Sequence, residues 1–238
     1  MRPMKHLFLS IGLASLLVAC GGETPPSKAA ENAPQEGSHS SMPEMKVKGE
    51  LGSIDPKETD AKLKSLSPTF EKCQTDRLSD VAVLSGAVKF FVRVGEDGMP
   101  RYAYLEESDL GDRVTEKCLI DAILATQFPK PDGGEAEVRY GIELPQHSER
   151  APDAWSADKV EGIMGAASSC KNGSSSSAQV TAYVVADDSK KKMGKALAVG
   201  VALPEKGSDD KMDCIVKAVK DAKLPTPGSF VVKVSFTL

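Results

Sequence analysis

Apolar and polar positions along this chain run through the same succession of periods twice. In residues 85–94, Val88, Phe90, Val92 and Val94 fall on every second position, the period of a strand with one buried face. Gly95-Glu96-Asp97-Gly98 follows as a turn signal and residues 102–106 resume the extended pattern, which predicts a β-hairpin. Ahead of it, Leu63, Leu66, Phe70 and Cys73 recur at helical spacing. Pro68 interrupts them, and proline is tolerated mainly in a first helical turn, so the regular helix is expected to start near Ser67. After the hairpin, Leu110-Gly111-Asp112 leads into a helical stripe of Val114, Cys118, Ala122 and Ala125, with Leu119 and Ile123 beside it. The motif FPKP then precedes a strand in which Val138, Tyr140, Ile142 and Leu144 alternate.

The second half repeats this order. Val160, Ile163, Met164 and Ala167 lead to Cys170 on a helix, with Asn172-Gly173 as its stop signal. Residues 180–186 and 196–203 form a second predicted hairpin across a lysine-rich turn at 190–192. A helix over 212–222 carries Cys214, the motif LPTP follows, and Val232, Val234, Phe236 and Leu238 alternate to the last residue. FPKP and LPTP stand at the same distance after Cys118 and Cys214. The residue before each proline is pushed out of the α region, so both motifs are expected to end the cysteine-bearing helix. Phe128 and Leu224 are expected to plug the core there. The reading is an α+β fold of two tandem domains, 56–146 and 153–238, each ordered helix-strand-strand-helix-strand.

The first 55 residues do not share this pattern. Arg2, Lys5 and His6 precede an apolar run over 7–19, too short to span a bilayer comfortably and shaped like a secretory signal. Leu17-Val18-Ala19-Cys20 resembles the lipobox of bacterial lipoproteins, which implies a signal peptide over 1–19 and acylation of Cys20, with several chains (palmitate among them) holding the protein stably on a membrane. Gly21, in place of the aspartate of the inner-membrane sorting rule, points to the outer membrane, facing the periplasm or the cell surface. Residues 20–55 lack apolar periodicity and read as a tether with a reach of roughly 30 Å.

Of 5 cysteines in 238 residues, lipidation of Cys20 leaves four, and four allow three pairings. Export permits disulfides, and the duplication favours Cys73–Cys118 and Cys170–Cys214, each stapling the two helices of one repeat. Four buried free thiols are the alternative. Small domains have thin cores, and each loop closure would contribute about 4 kcal/mol.

The segment SGAVKFFVRVGEDGMPRYAYLEES, the helix with a central cysteine, FPKP, GGEAEV and the closing strand resemble the AgmX/PglI C-terminal domain of myxobacteria and their relatives. That domain is similar to the C-terminal domain of TonB. The resemblance covers 65–144 closely and 155–238 less closely, where the lysine-rich turn replaces Asp-Gly and Leu224 replaces the phenylalanine. It implies a non-enzymatic envelope module of motility or envelope machinery, with no catalytic residues. It also implies last strands that offer an edge to an extended partner segment: Val138, Tyr140 and Ile142 in the first repeat, Val232, Val234 and Phe236 in the second.

The chemistry-bearing residues add little to this. Net charge is −4 and 5% of residues are aromatic, so there is no footprint for nucleic acid. Outside the leader the histidines are His39 and His147, both in polar loop sequence, and there is no CxxC, so neither a metal site nor a cofactor is expected. No GxSxG, Walker A or GxGxxG motif occurs. Glu106, Glu107 and Asp109 could form a carboxylate cluster, but a solvated hairpin end with a charge at a helix N-terminus is the favoured reading, because carboxylates suit a first turn. Asp187-Asp188 and Asp209-Asp210 read as a polar turn and a helix start. The expected partners are the membrane, through the lipid anchor, and an envelope protein. The alternative is a lipoprotein that holds a small molecule or glycan between the repeats, which requires a closed apolar pocket near Trp155.

Overall fold

A computed structural model describes residues 51–189 and 192–238. The expected signal peptide, Cys20, His39, nearly all of the expected tether, Lys190 and Lys191 lie outside the described residues. The described residues belong to one compact unit. No helix among the described residues is long and apolar enough to cross a membrane.

The fold is mixed α+β. The first repeat comprises α1 (Pro56–Lys64), α2 (Ser67–Thr75), β1 (Gly86–Val94), β2 (Pro100–Ser108), α3 (Arg113–Leu124) and β3 (Ala136–Leu144). The break between α1 and α2 falls where Pro68 requires it: α2 begins at Ser67 with the proline in its first turn. Its sheet is antiparallel in the order β2-β1-β3. Phe90, Val92 and Val94 on the central strand are fully buried against the helices.

The second repeat comprises β4 (Asp153–Trp155), a 3-10 turn at Ala157–Val160, α4 (Glu161–Ser169), β5 (Gln179–Ala186), β6 (Met193–Ala202), α5 (Asp209–Lys220), β7 (Leu224–Pro225) and β8 (Val232–Thr237). Its sheet runs β4-β8-β5-β6-β7. The strands β4 and β7 are additions to the predicted order. With three and two residues, they are too short to carry a period.

Each repeat has one disulfide between its helices. Cys73 is joined to Cys118 and Cys170 to Cys214, with sequence separations of 45 and 44. The helix ends differ from expectation. Helices α3 and α5 stop at Leu124 and Lys220, short of FPKP and LPTP. In α3, the Thr126 hydroxyl donates to the Ala122 carbonyl at 2.8 Å and so caps the terminus before any proline is reached. The intervening residues let Phe128 and Leu224 turn inward, where they are 2% and 3% exposed.

The stripe on α3 also differs. Val114 is exposed, whereas Thr115, Glu116, Leu119 and Ile123 are buried. The cause is the second repeat, which covers a face of α3 that a free-standing domain would leave to water. Tyr183, Ala198 and Ala202 of the second repeat belong to the hydrophobic cluster of the first. Leu119 and Ile123 point into that cluster, and Glu116 points at β6.

Candidate functional site

A strand at a sheet edge leaves a row of N–H and C=O groups without ladder partners, and folded proteins usually cover such rows. The two sheets have four outer sides. The side of β2 packs against β6 of the second repeat. The outer side of β6 is occupied at Met193 and Gly194 by β7, and further along the Val201 amide donates to Glu116. The outer side of β8 is occupied by β4, which pairs in parallel with Val232, Lys233 and Val234. The fourth side belongs to β3, nine residues long. Among the described residues no strand pairs with its outer side. The preceding chain bonds to the backbone just ahead of this strand, where the Gly52 amide donates to the Glu135 carbonyl at 2.8 Å and Ser53 bridges Asp132.

The two predicted recognition strands are therefore not equivalent. Val138, Tyr140 and Ile142 lie on an open edge. Val232, Val234 and Phe236 are at most 5% exposed and lie on an internal strand over its first half. The difference comes from the segment between the repeats, whose Asp153–Trp155 folds back as β4. Sequence periodicity carries no signal for so short a pairing.

Chemistry alternates along β3. One side of the strand carries Glu137, Arg139 and Glu143. Arg139 donates to Glu106 at 2.9 Å and lies over the Phe91 ring at 4.9 Å, and Arg93 pairs with Glu137 at 3.0 Å. Phe91, Tyr104 and Tyr102 stack along the same face, with 4.7 Å between the first two ring centroids. The other side carries Val138, Tyr140 and Ile142, of which the last two are half-buried. A groove of about 260 Å³ runs there between β3 and α1, lined by Ile54, Pro56, Thr59, Leu63, Val138 and Tyr140. Thr59 is 5% exposed and its hydroxyl has no hydrogen-bond partner among the described residues. An extended segment laid along β3 would find polar groups on one side and an apolar groove on the other.

The carboxylates considered for catalysis do not converge. Glu106 pairs with Arg139, Glu107 with Lys89 at 2.7 Å, and Asp109 accepts from the Ala87 amide. Asp209 heads α5 and pairs with Arg113, while Asp187 accepts from Ser189 in the turn after β5. His147 lies exposed in the loop after β3. Trp155 packs against the core of the second repeat. A small cleft of about 120 Å³ lies between the repeats, lined by Leu105, Arg113, Ile120, Asp209 and Met212, with charged groups at its wall and Trp155 not among its lining.

The seam itself is tight and polar. The Tyr183 hydroxyl donates to the Ser85 carbonyl at 3.0 Å and accepts from the Ser85 amide at 3.2 Å. Burial raises its phenol to about 12. Lys233 also donates to the Ser85 carbonyl, at 2.9 Å, and burial lowers its ammonium pKa. Gly111 has a positive φ of 79°, and a Cβ there would approach Thr181 and the Tyr183 ring to within about 3 Å. Sequence reading missed this seam, because each of its groups sits in a repeat that looks complete by itself. No family model, curated protein or solved structure matches the chain.

Proposed function

We propose that this chain is a non-enzymatic interaction module of the bacterial envelope, held at the outer membrane by acylated Cys20, and that it captures an extended segment of an envelope protein by strand addition to β3. The observation that carries this reading is the contrast between the nine-residue open edge of β3 and the covered edge of β8. Main-chain hydrogen bonds to the edge would supply affinity, and the groove against α1 would select an apolar side chain on alternate positions. The partner is expected to be a different protein. Antiparallel pairing of two β3 strands centred on Tyr140 sets Glu137 against Glu143, and like charges directly opposite are destabilising. The resemblance to the AgmX/PglI and TonB C-terminal domains supports the same binding mode. The lipobox in place of a membrane-spanning helix argues for a scaffold rather than an energy transducer.

The test is photocrosslinking in the intact envelope, with a photoreactive residue placed at Tyr140 on β3 or at Ser235 on β8. The expected result is a discrete adduct with an envelope protein from position 140 and none from position 235. Adducts from 235 alone, or from neither, would reject the reading.

A further inference from the structure

The seam contains an ionisable group that strand addition at β3 does not use. Glu116 on α3 has 0% exposure. Its Oε1 accepts from the Ser108 hydroxyl at 2.7 Å and its Oε2 accepts from the Val201 amide at 2.9 Å. One carboxyl thus spans from β2 of the first repeat to β6 of the second. β7 pairs only with Met193 and Gly194 at the far end of β6, so Glu116 supplies the acceptor that the buried Val201 N–H needs. The close approach depends on residue 200 being glycine. A Cβ there would lie 2.8 Å from both the Gly111 Cα and the Asp112 nitrogen, and would press on the Glu116 carboxyl.

The charges around Glu116 are committed elsewhere. At the start of its own helix, Arg113 pairs with Asp213 at 3.0 Å and with Asp209, both on α5. Asp112 accepts from Arg77, which follows α2, at 3.0 Å, and from the Thr115 amide and hydroxyl. β2 faces Glu116 with the Ser108 hydroxyl, and β6 with an amide and a glycine. From β5 comes Tyr183, whose phenol is bonded at Ser85. Burial therefore dominates and pushes the carboxyl above its usual range, against the hydrogen bonds from Ser108 and Val201 and the Arg113 charge. The geometry also suits a neutral acid. The Ser108 oxygen already accepts from the Leu110 amide at 3.2 Å. It could accept a second proton from Oε1 while Oε2 keeps the Val201 amide.

We propose that Glu116 is a proton-operated latch between the two repeats, tying β2 to β6 as a neutral acid and loosening the seam around Val201 when it ionises. The sign follows from linkage. A carboxyl whose titration is raised in the closed form strengthens that form fully below its ordinary range, and the contribution is lost as pH rises through the raised value. For one proton, the opening constant rises about tenfold per pH unit between those limits.

The experiment is native-state amide exchange of Val201 across a pH series, corrected for intrinsic rates, with the Glu116 side-chain carbonyl carbon followed in the same samples. Glu116 is expected to titrate above the other glutamates, and Val201 protection to fall about tenfold per pH unit between the ordinary glutamate range and that titration, levelling off above it. Val92, at the centre of the first sheet, should not respond. Glu116→Gln keeps a donor and an acceptor without the charge, and should abolish the pH dependence at Val201. Should that variant not fold, Ser108→Ala serves instead. It removes a donor to the anion, so the Glu116 titration and the loss of Val201 protection should both move to higher pH. The latch is overturned if Glu116 titrates with the other glutamates. It is equally overturned if Val201 protection does not vary in the wild type, or if the variant used leaves its pH dependence unchanged.

Discussion

The two repeats share an order of elements and a disulfide, yet they finish their sheets in opposite ways. In the second, the linker strand β4 lies on the outer side of β8 and β7 lies on β6. In the first, β2 is covered by the second repeat, and β3 is left with nothing paired along its outer side among the described residues. The contrast shows how duplication can separate two tasks. A closed copy can brace an open one, and Tyr183 entering the first hydrophobic cluster is the plainest sign of bracing.

The strongest way to break this comparison is through the disulfides. Chain entropy depends on loop length, and separations of 45 and 44 are nearly equal. Replacing Cys73 and Cys118 by alanine, or Cys170 and Cys214, should therefore cost about 4 kcal/mol in either case, measured by urea unfolding. A large inequality would mean that one repeat carries the other's stability.

Next in size are the two plugs. Phe128→Ala should cost about 3–5 kcal/mol and Leu224→Ala about 2–5 kcal/mol, because both side chains are buried where helix gives way to strand. Loss of less than about 1 kcal/mol at either position would show that the plug is not shared between the repeats.

The seam gives a smaller effect that can be read two ways. Tyr183→Phe leaves the Ser85 amide without its partner and should cost about 1–3 kcal/mol. The phenol is raised from 10.0 to about 12. Its contribution is therefore complete below pH 10 and is lost as pH rises through 12. In an ultraviolet titration the last phenolate to form in the wild type should be absent from the variant.

Arg139→Ala is the mildest change. Its ion pair with Glu106 is more than half exposed on the arginine side, and such pairs are worth about 0–1 kcal/mol. Stability should barely move, while crosslinking from Tyr140 should weaken if the segment added to β3 touches that guanidinium.

Much of the framework was legible in the sequence because its signals are periodic. Val88, Phe90, Val92 and Val94 alternate over a full strand, and the cysteines keep their spacing across both repeats. Pro68 marked the start of α2. The seam was not legible, because a buried face on α3 looks polar when Glu116 and Thr115 form it and the covering group is an amide from a distant strand. The open edge was legible only as a candidate pair, β3 and β8. Deciding between them took a three-residue pairing at Asp153–Trp155 that leaves no mark on hydropathy.

The central claim concerns β3, and it is tested most directly by amide exchange across both last strands, with and without the envelope protein crosslinked through Tyr140. Strand addition predicts slowed exchange at alternate amides within Ala136–Leu144 and no change within Val232–Thr237. Protection that appears in β8 or in the loops, with β3 unaffected, would contradict it.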